Sequence, residues 1–247
     1  MEQDNDFSEF TESSYRRLLA TAKEYYAFQP FGTTSEEPHV LWRHDVDLSV
    51  HRALRLAEIE LEAGVRSTYF LWLHSPYYNL LEDDIFCKVR QILDMGHWIG
   101  LHFAANFYGI DQEHVELEAN LSFERDILQR LLKTEINAFS FHDPETGNVL
   151  SCVDEHVSGM TNAYSEAISE KYKYVSDSNG YWRFDNLFSV IEKRAAQRLH
   201  VLTHPGWWID VPTSPRNRIL RIAEGRMAAT MKGYDHQMKK SGRTNIS

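Results

Sequence analysis

Val40-Leu41-Trp42-Arg43-His44-Asp45-Val46-Asp47-Leu48 is the stretch whose reading decides the fold of this chain. An apolar lead-in that delivers charged and ionisable side chains at its far end is how a barrel strand presents a site. In an extended segment side chains alternate between faces with period two, so Arg43, Asp45 and Asp47 share one face. Two carboxylates side by side repel unless a cation, a shared proton or a bound ligand compensates them, which points to metal or acid–base chemistry. The same residues also fit a plainer reading, an Asp-rich turn in which Asp47 and Ser49 cap the helix that follows.

Outward from this stretch, strand-like and helix-like periodicities alternate. The apolar residues Phe10, Tyr15, Leu18, Leu19, Ala22 and Tyr26 predict a covering helix over Phe7 to Phe28. Ser49 to Ala63 predicts a helix stopped by Gly64, Arg66 to Trp72 a second strand, and Glu82 to Met95 a helix closed by Gly96. His97 to Phe103 and Ile136 to His142 predict further strands on either side of a long charged helix over Asp111 to Lys133. Beyond Pro144 the periodicity weakens. Glu145 to Ala163 fits a lid, a disordered loop or an insertion, with Gly147 and Gly159 permitting movement. A short helix over Ser165 to Lys171, a strand over Lys173 to Asp177, a helix over Asn186 to Gln197 and a strand over Leu199 to His204 follow. A basic C-terminal helix over Pro215 to Met238 is expected to lay Ile219, Leu220, Ile222, Ala223 and Met227 on the body.

Such alternation implies a parallel sheet with right-handed crossovers. Ionisable groups recur where strands finish: Asp45 and Asp47, His102, His142, Asp177 and His204. In a barrel all strand ends open into one mouth, whereas an open sheet scatters them along an edge. No Gly-x-Gly-x-x-Gly or Walker pattern follows the first strand, which disfavours nucleotide-binding folds. The expectation is an α/β chain forming a distorted or incomplete parallel β/α barrel of about seven strands, one domain over residues 1–247.

The 247 residues carry a net charge of −10, which argues against nucleic acid as a partner. From Arg216 onward the charge is locally +6, leaving −16 for the remainder. Cys87 and Cys152 stand at no metal or redox spacing, and Cys87 falls in an apolar helical pattern that predicts a core position. The opening Met1-Glu2-Gln3-Asp4-Asn5-Asp6 is acidic, and no stretch is apolar enough for a transmembrane segment, so a cytoplasmic protein is expected.

Arg43-His44-Asp45-Val46-Asp47, Gly96-His97-Trp98-Ile99-Gly100-Leu101-His102 and Leu202-Thr203-His204-Pro205 resemble the ordered motifs of the polysaccharide deacetylase family, carbohydrate esterase family 4. The likeness is greater to a divergent branch with an Arg-His-Asp-Val-Asp opening, to which Tyr174-Val175-Ser176-Asp177-Ser178 and Thr203-His204-Pro205-Gly206-Trp207-Trp208 are also similar. The resemblance spans roughly Val40 to Trp208. It implies an incomplete β/α barrel that holds one divalent metal, commonly zinc, and hydrolyses an N- or O-acetyl group on a sugar or glycan precursor. Carried over by position, it implies Asp45 as general base, Asp47 and His102 as metal ligands, and His204 as general acid. The family's second metal histidine falls at Asn106, and its base-orienting arginine falls at His142. His142 is therefore expected to serve as third ligand beside Asp47, His102 and a water, a set of three N/O ligands that suits catalytic zinc. Arg43, Asn106, Trp207 and Trp208 are expected at the substrate, the tryptophans by stacking on a sugar face. A hydrolase acting on another bond, and a catalytically silent barrel that binds a carbohydrate or a partner, remain the alternatives.

Overall fold

The computed structural model describes residues 7–109, 114–145, 149–182 and 184–246. The expected start of a helix at Asp111, the hinge at Gly147 and the acidic opening hexapeptide lie outside them. Among the described residues there are nine strands: β1 (Ala27–Phe28), β2 (His39–Val46), β3 (Thr68–Leu71), β4 (Trp98–Phe103), β5 (Ala138–Phe141), β6 (His156–Val157), β7 (Met160–Asn162), β8 (Lys173–Ser176) and β9 (Arg198–Thr203). Eight lie in the order β6-β7-β5-β4-β3-β2-β9-β8, parallel throughout except for the β6–β7 pair. The curled sheet remains open between its two ends, so the barrel is incomplete.

Strand β2 is buried at every one of its eight residues because both its edges and both its faces are covered. On one edge β9 pairs with it over most of its length; on the other, β1 pairs with His39 and Val40 before β3 takes over from Arg43 to Val46. Its inner face packs Leu41 with Phe31, Phe70, Ala138, Ala163 and Ile168 at the closed end of the barrel. Gly100 on β4 is there for space: a Cβ would stand 2.4 Å from the Phe70 ring. The helices α1 (Glu12–Lys23), α2 (Val50–Ala63), α3 (Asp83–Asp94), α4 (His114–Leu132), α5 (Glu166–Lys171), α6 (Leu187–Glu192) and α7 (Pro215–Lys240) complete the chain. Ser49 caps α2 through its hydroxyl, which accepts from the Arg52 N–H.

Differences from expectation lie where local pattern carries little information. The first helix ends at Lys23 and Ala27–Phe28 turns into the short strand β1. The weakly periodic Glu145–Ala163 region contains the β6–β7 hairpin, whose two-residue turn has Ser158 at φ 52° and Gly159 at φ 75°. Both residues in the left-handed region make this the kind of turn whose twist matches the paired strands. Cys87 is exposed on α3, facing away from the apolar stripe of Ile85, Val89 and Ile92. On α7 only Ile219 and Ile222 of the expected five pack inward; Leu220 and Met227 are 54% and 64% exposed, because the inner side of the helix is set by Arg218, which is buried. Among the described residues no helix is long and apolar enough to cross a membrane.

The outer face of β2 holds a buried carboxylate. Glu60 of α2 accepts hydrogen bonds from His44 Nε2 at 2.6 Å, Tyr69 Oη at 2.7 Å and the Tyr15 hydroxyl. His97 stands beside it with its tautomer fixed: Nε2–H donates to the Ala57 carbonyl and Nδ1 accepts from the Ser67 N–H. Burial alone would raise the Glu60 carboxyl, but His44 outweighs this and holds it down to about 2. A carboxyl depressed from 4.5 contributes stability that is complete above that value and is lost as pH falls toward 2. Glu60→Ala would strand three donors in the interior. The expected loss is about 3–5 kcal/mol in denaturant unfolding at pH 7, shrinking as the pH of the measurement is lowered below 4.5.

Candidate active site

The C-terminal ends of β2, β4, β5 and β9 place four of the side chains singled out above at one mouth. Asp47 follows the end of β2, His102 lies near the end of β4, His142 follows β5 and His204 follows β9. Asp47, His102 and His142 offer one ligand atom each, all within 4.8 Å of one another. His102 Nε2 lies 3.1 Å and His142 Nδ1 3.7 Å from Asp47 Oδ1, and the two nitrogens are 3.2 Å apart. Yet Asp47 Oδ1 is buried and receives no hydrogen bond of proper geometry from a described residue. A buried acceptor without a donor, with two imidazole nitrogens converging beside it, is a donor set that fits a divalent cation. Burial would raise the Asp47 carboxyl, but His102 and His142 outweigh it and hold it well below the usual carboxylate range.

The supporting shell is equally directed. With His102 Nε2 turned to the site, its Nδ1–H donates to Ser140 Oγ at 2.7 Å, and the Ser140 hydroxyl lies 3.4 Å from Asp45 Oδ1 as a donor. His142 is held by Trp72, whose ring stacks on the imidazole at 3.8 Å between centroids and 23° between planes. Asp45 is buried and ion-paired with Arg43 Nη2 at 3.0 Å. The same Nη2 donates to the Tyr164 hydroxyl at 2.9 Å.

His204 approaches from the opposite side, its Nε2 3.7 Å from Asp47 Oδ2. Its Nδ1–H donates to Asp177 Oδ1 at 2.6 Å, while Asp177 also accepts from the His204 backbone N–H and from Trp208 Nε1. Burial would lower the His204 imidazole; the Asp177 carboxylate, assisted by Asp47 and Asp45, outweighs it and raises the ring to about 9. The ring therefore carries its proton at neutral pH, with Nε2–H turned toward the mouth.

Three of the four residues expected at the substrate are buried. Arg43 is fully buried and serves Asp45 instead. Trp208 is fully buried, its ring packed against Phe10, Tyr15 and Trp182 and its N–H committed to Asp177, so neither face is free for a sugar. Trp207 is 9% exposed and packs in the same cluster. The apolar demand of the shell between β9, α1 and α6 outcompeted the mouth for both rings. Asn106 is exposed on the turn Ala105–Phe107 after β4. Asp177 was visible in the sequence as a strand-end carboxylate, although nothing local tied it to His204. Ser140, Trp72 and Tyr164 gave no signal, since each acts only through a neighbour brought in by another strand or loop.

No protein-family profile and no curated protein matches the sequence. Solved structures similar to this one include a CE4 family pseudoenzyme from Bacillus anthracis, at 15% identity and a TM-score of 0.46 over 78% of this chain. They also include a family 4 carbohydrate esterase from the same organism, at 13% identity and 0.43 over 87% of this chain and 86% of that one. A third is the chitin deacetylase of the fungal pathogen Colletotrichum lindemuthianum, at 13% identity and 0.43 over 80% and 88%. The chain spans 63% of the length of the pseudoenzyme.

Two measurements check the site. His142→Ala and Asp47→Asn are each expected to abolish stoichiometric zinc in calorimetric titration, and Ser140→Ala to weaken it by about 10- to 100-fold; unchanged affinity in the first two variants would overturn the donor set. Asp177→Asn is expected to bring the His204 titration, followed by NMR in metal-free protein, down from about 9 toward its ordinary value of 6.5.

Proposed function

We propose that this chain is a metal-dependent hydrolase that removes an acetyl group from an N- or O-acetylated sugar. One observation carries the reading: a donor set of Asp47, His102 and His142 stands beside a buried carboxylate paired with arginine and an imidazole paired with a carboxylate. A divalent cation held by that set supplies Lewis acidity, lowering the pKa of water and polarising an acyl carbonyl. Asp45 accepts the proton of the attacking water, its carboxylate oriented by Arg43 Nη2 and by the Ser140 hydroxyl. His204 donates its Nε2 proton to the departing amine or alkoxide, and Asp177 stabilises the imidazolium before the transfer. The roles require opposite protonation at one pH, and the two partners differ accordingly: a cation beside the base, an anion beside the acid.

The motif resemblance directs the reaction to an acetyl group on a sugar; the chemistry itself would serve any amide or ester that fits the mouth. Acetate release from acetylated chitin and xylan oligosaccharides by zinc-loaded protein tests it. Asp45→Asn and His204→Ala are each expected to lower kcat by about a hundred- to ten-thousand-fold while zinc remains bound. Zinc binding without release of acetate from any acetylated sugar would refute the assignment.

A further inference from the structure

Helix α7 carries a buried charge that no acceptor meets. Arg218 is 1% exposed, yet its Nε, Nη1 and Nη2 all lack a hydrogen-bond partner among the described residues. The guanidinium stands 5.7 Å from the ring centres of Phe7 and Phe10. Aromatic faces compensate a cation far less than a carboxylate or phosphate does, and they satisfy none of its N–H groups. Burial pulls the group down to about 10, against the opposing effect of Asp177, so it stays charged at neutral pH. An ionised group buried without acceptors costs stability, and an apolar side chain of similar length would remove that cost. Folding alone gives no reason for a guanidinium here.

Arg218 lines a groove of about 850 Å³ between α7 and the starts of α2 and α3. None of Asp45, Asp47, His102, His142 and His204 lines it. Its other three arginines are paired: Arg52 with Glu12, Arg221 with Asp210 and Arg226 with Glu82. The first turn of α2 also lines the groove and adds the positive end of a helix. The remaining surface is apolar and roomy. Leu48, Ile85 and Ile209 contribute to it from the body of the protein. On α7 the spacing of Arg218, Ile222, Gly225, Ala229 and Gly233 follows the helical period, so all five share the side that faces the groove. A Cβ on Gly225 or Gly233 would meet nothing within 4 Å, so the space beside them is open.

We propose that this groove binds a small ligand with an oxyanion head, a phosphate or a carboxylate, and an apolar body, at a site separate from the mouth. The head meets the fork of Arg218, whose planar donors match two oxygens of either group. The body lies along Ile222 and fills the open space beside Gly225.

Calorimetric titration of the full chain with phenyl phosphate, 4-phenylbutyrate and inorganic phosphate tests the site. At least one of the two phenyl-bearing anions is expected to bind one-to-one and about tenfold more tightly than inorganic phosphate. Which of them binds more tightly identifies the head as phosphate or carboxylate. Arg218→Met is expected to weaken that binding by about tenfold or more, and to unfold at a higher temperature than the wild type when no ligand is present. Gly225→Leu, which fills open space, is expected to weaken the phenyl-bearing anion and leave inorganic phosphate unchanged. Asp47→Asn, which disables the mouth, is expected to change neither. No binding of either phenyl-bearing anion, binding unchanged in Arg218→Met, or binding lost in Asp47→Asn overturns the site. A lowered unfolding temperature in Arg218→Met, with binding unchanged in Gly225→Leu, assigns Arg218 to folding and overturns the site as well.

Discussion

Four ionisable side chains in five residues, Arg43, His44, Asp45 and Asp47, enter the interior on strand β2, and an ionised group there must be paired and hydrogen-bonded or it will unfold the chain. Much of the surrounding structure can be understood as meeting that demand. Alternation sends Arg43 and Asp45 to the inside of the barrel and His44 to the outside. Inside, Arg43 and Asp45 compensate each other, and Tyr164 and Ser140 take up further hydrogen bonds. Outside, His44 is matched by Glu60 of α2 and by Thr203 of β9, which ties the first helix pair to the centre of the sheet. Asp47, just past the strand's end, has two imidazoles beside Oδ1 and no proper donor to it among the described residues, and that shortfall marks the mouth.

The surroundings of Asp45 show how a charge partner can come from the same strand. The family that the motifs resemble orients its base with an arginine from a later strand, and here that place is taken by His142. Arg43, two residues before Asp45 on the same strand, reaches the same carboxylate within 3.0 Å. With Asp45 already served, a histidine after β5 is free to face Asp47, and Trp72 fixes its plane.

Asp45 and His204 differ in environment as well as in position. Asp45 has a guanidinium beside it, while His204 has Asp177, itself bonded by the Trp208 indole and the His204 backbone. Trp208 contributes through this support and through its ring contact with Tyr15 of α1. Trp72, just after β3, is the ring that stacks on His142.

The sequence by itself determined the alternation of strand and helix, the parallel curled sheet, and the recurrence of ionisable groups at strand ends, because these follow from periods of 2.0 and 3.6 and from which residues terminate an element. It also marked Asp45, Asp47, His102, His142 and His204, since residues at or just beyond the C-terminal end of a parallel strand lie at the mouth. Tertiary structure decided which of them meet and what supports them: Arg43 with Asp45, Asp177 with His204, Trp72 on His142, Glu60 beneath His44. It decided too that Trp208 is core, that Cys87 is exposed and that Leu220 and Met227 of α7 face water. Burial and pairing depend on side chains that lie anywhere from two to more than a hundred residues away and become neighbours only when the sheet closes, and no local pattern encodes that distance.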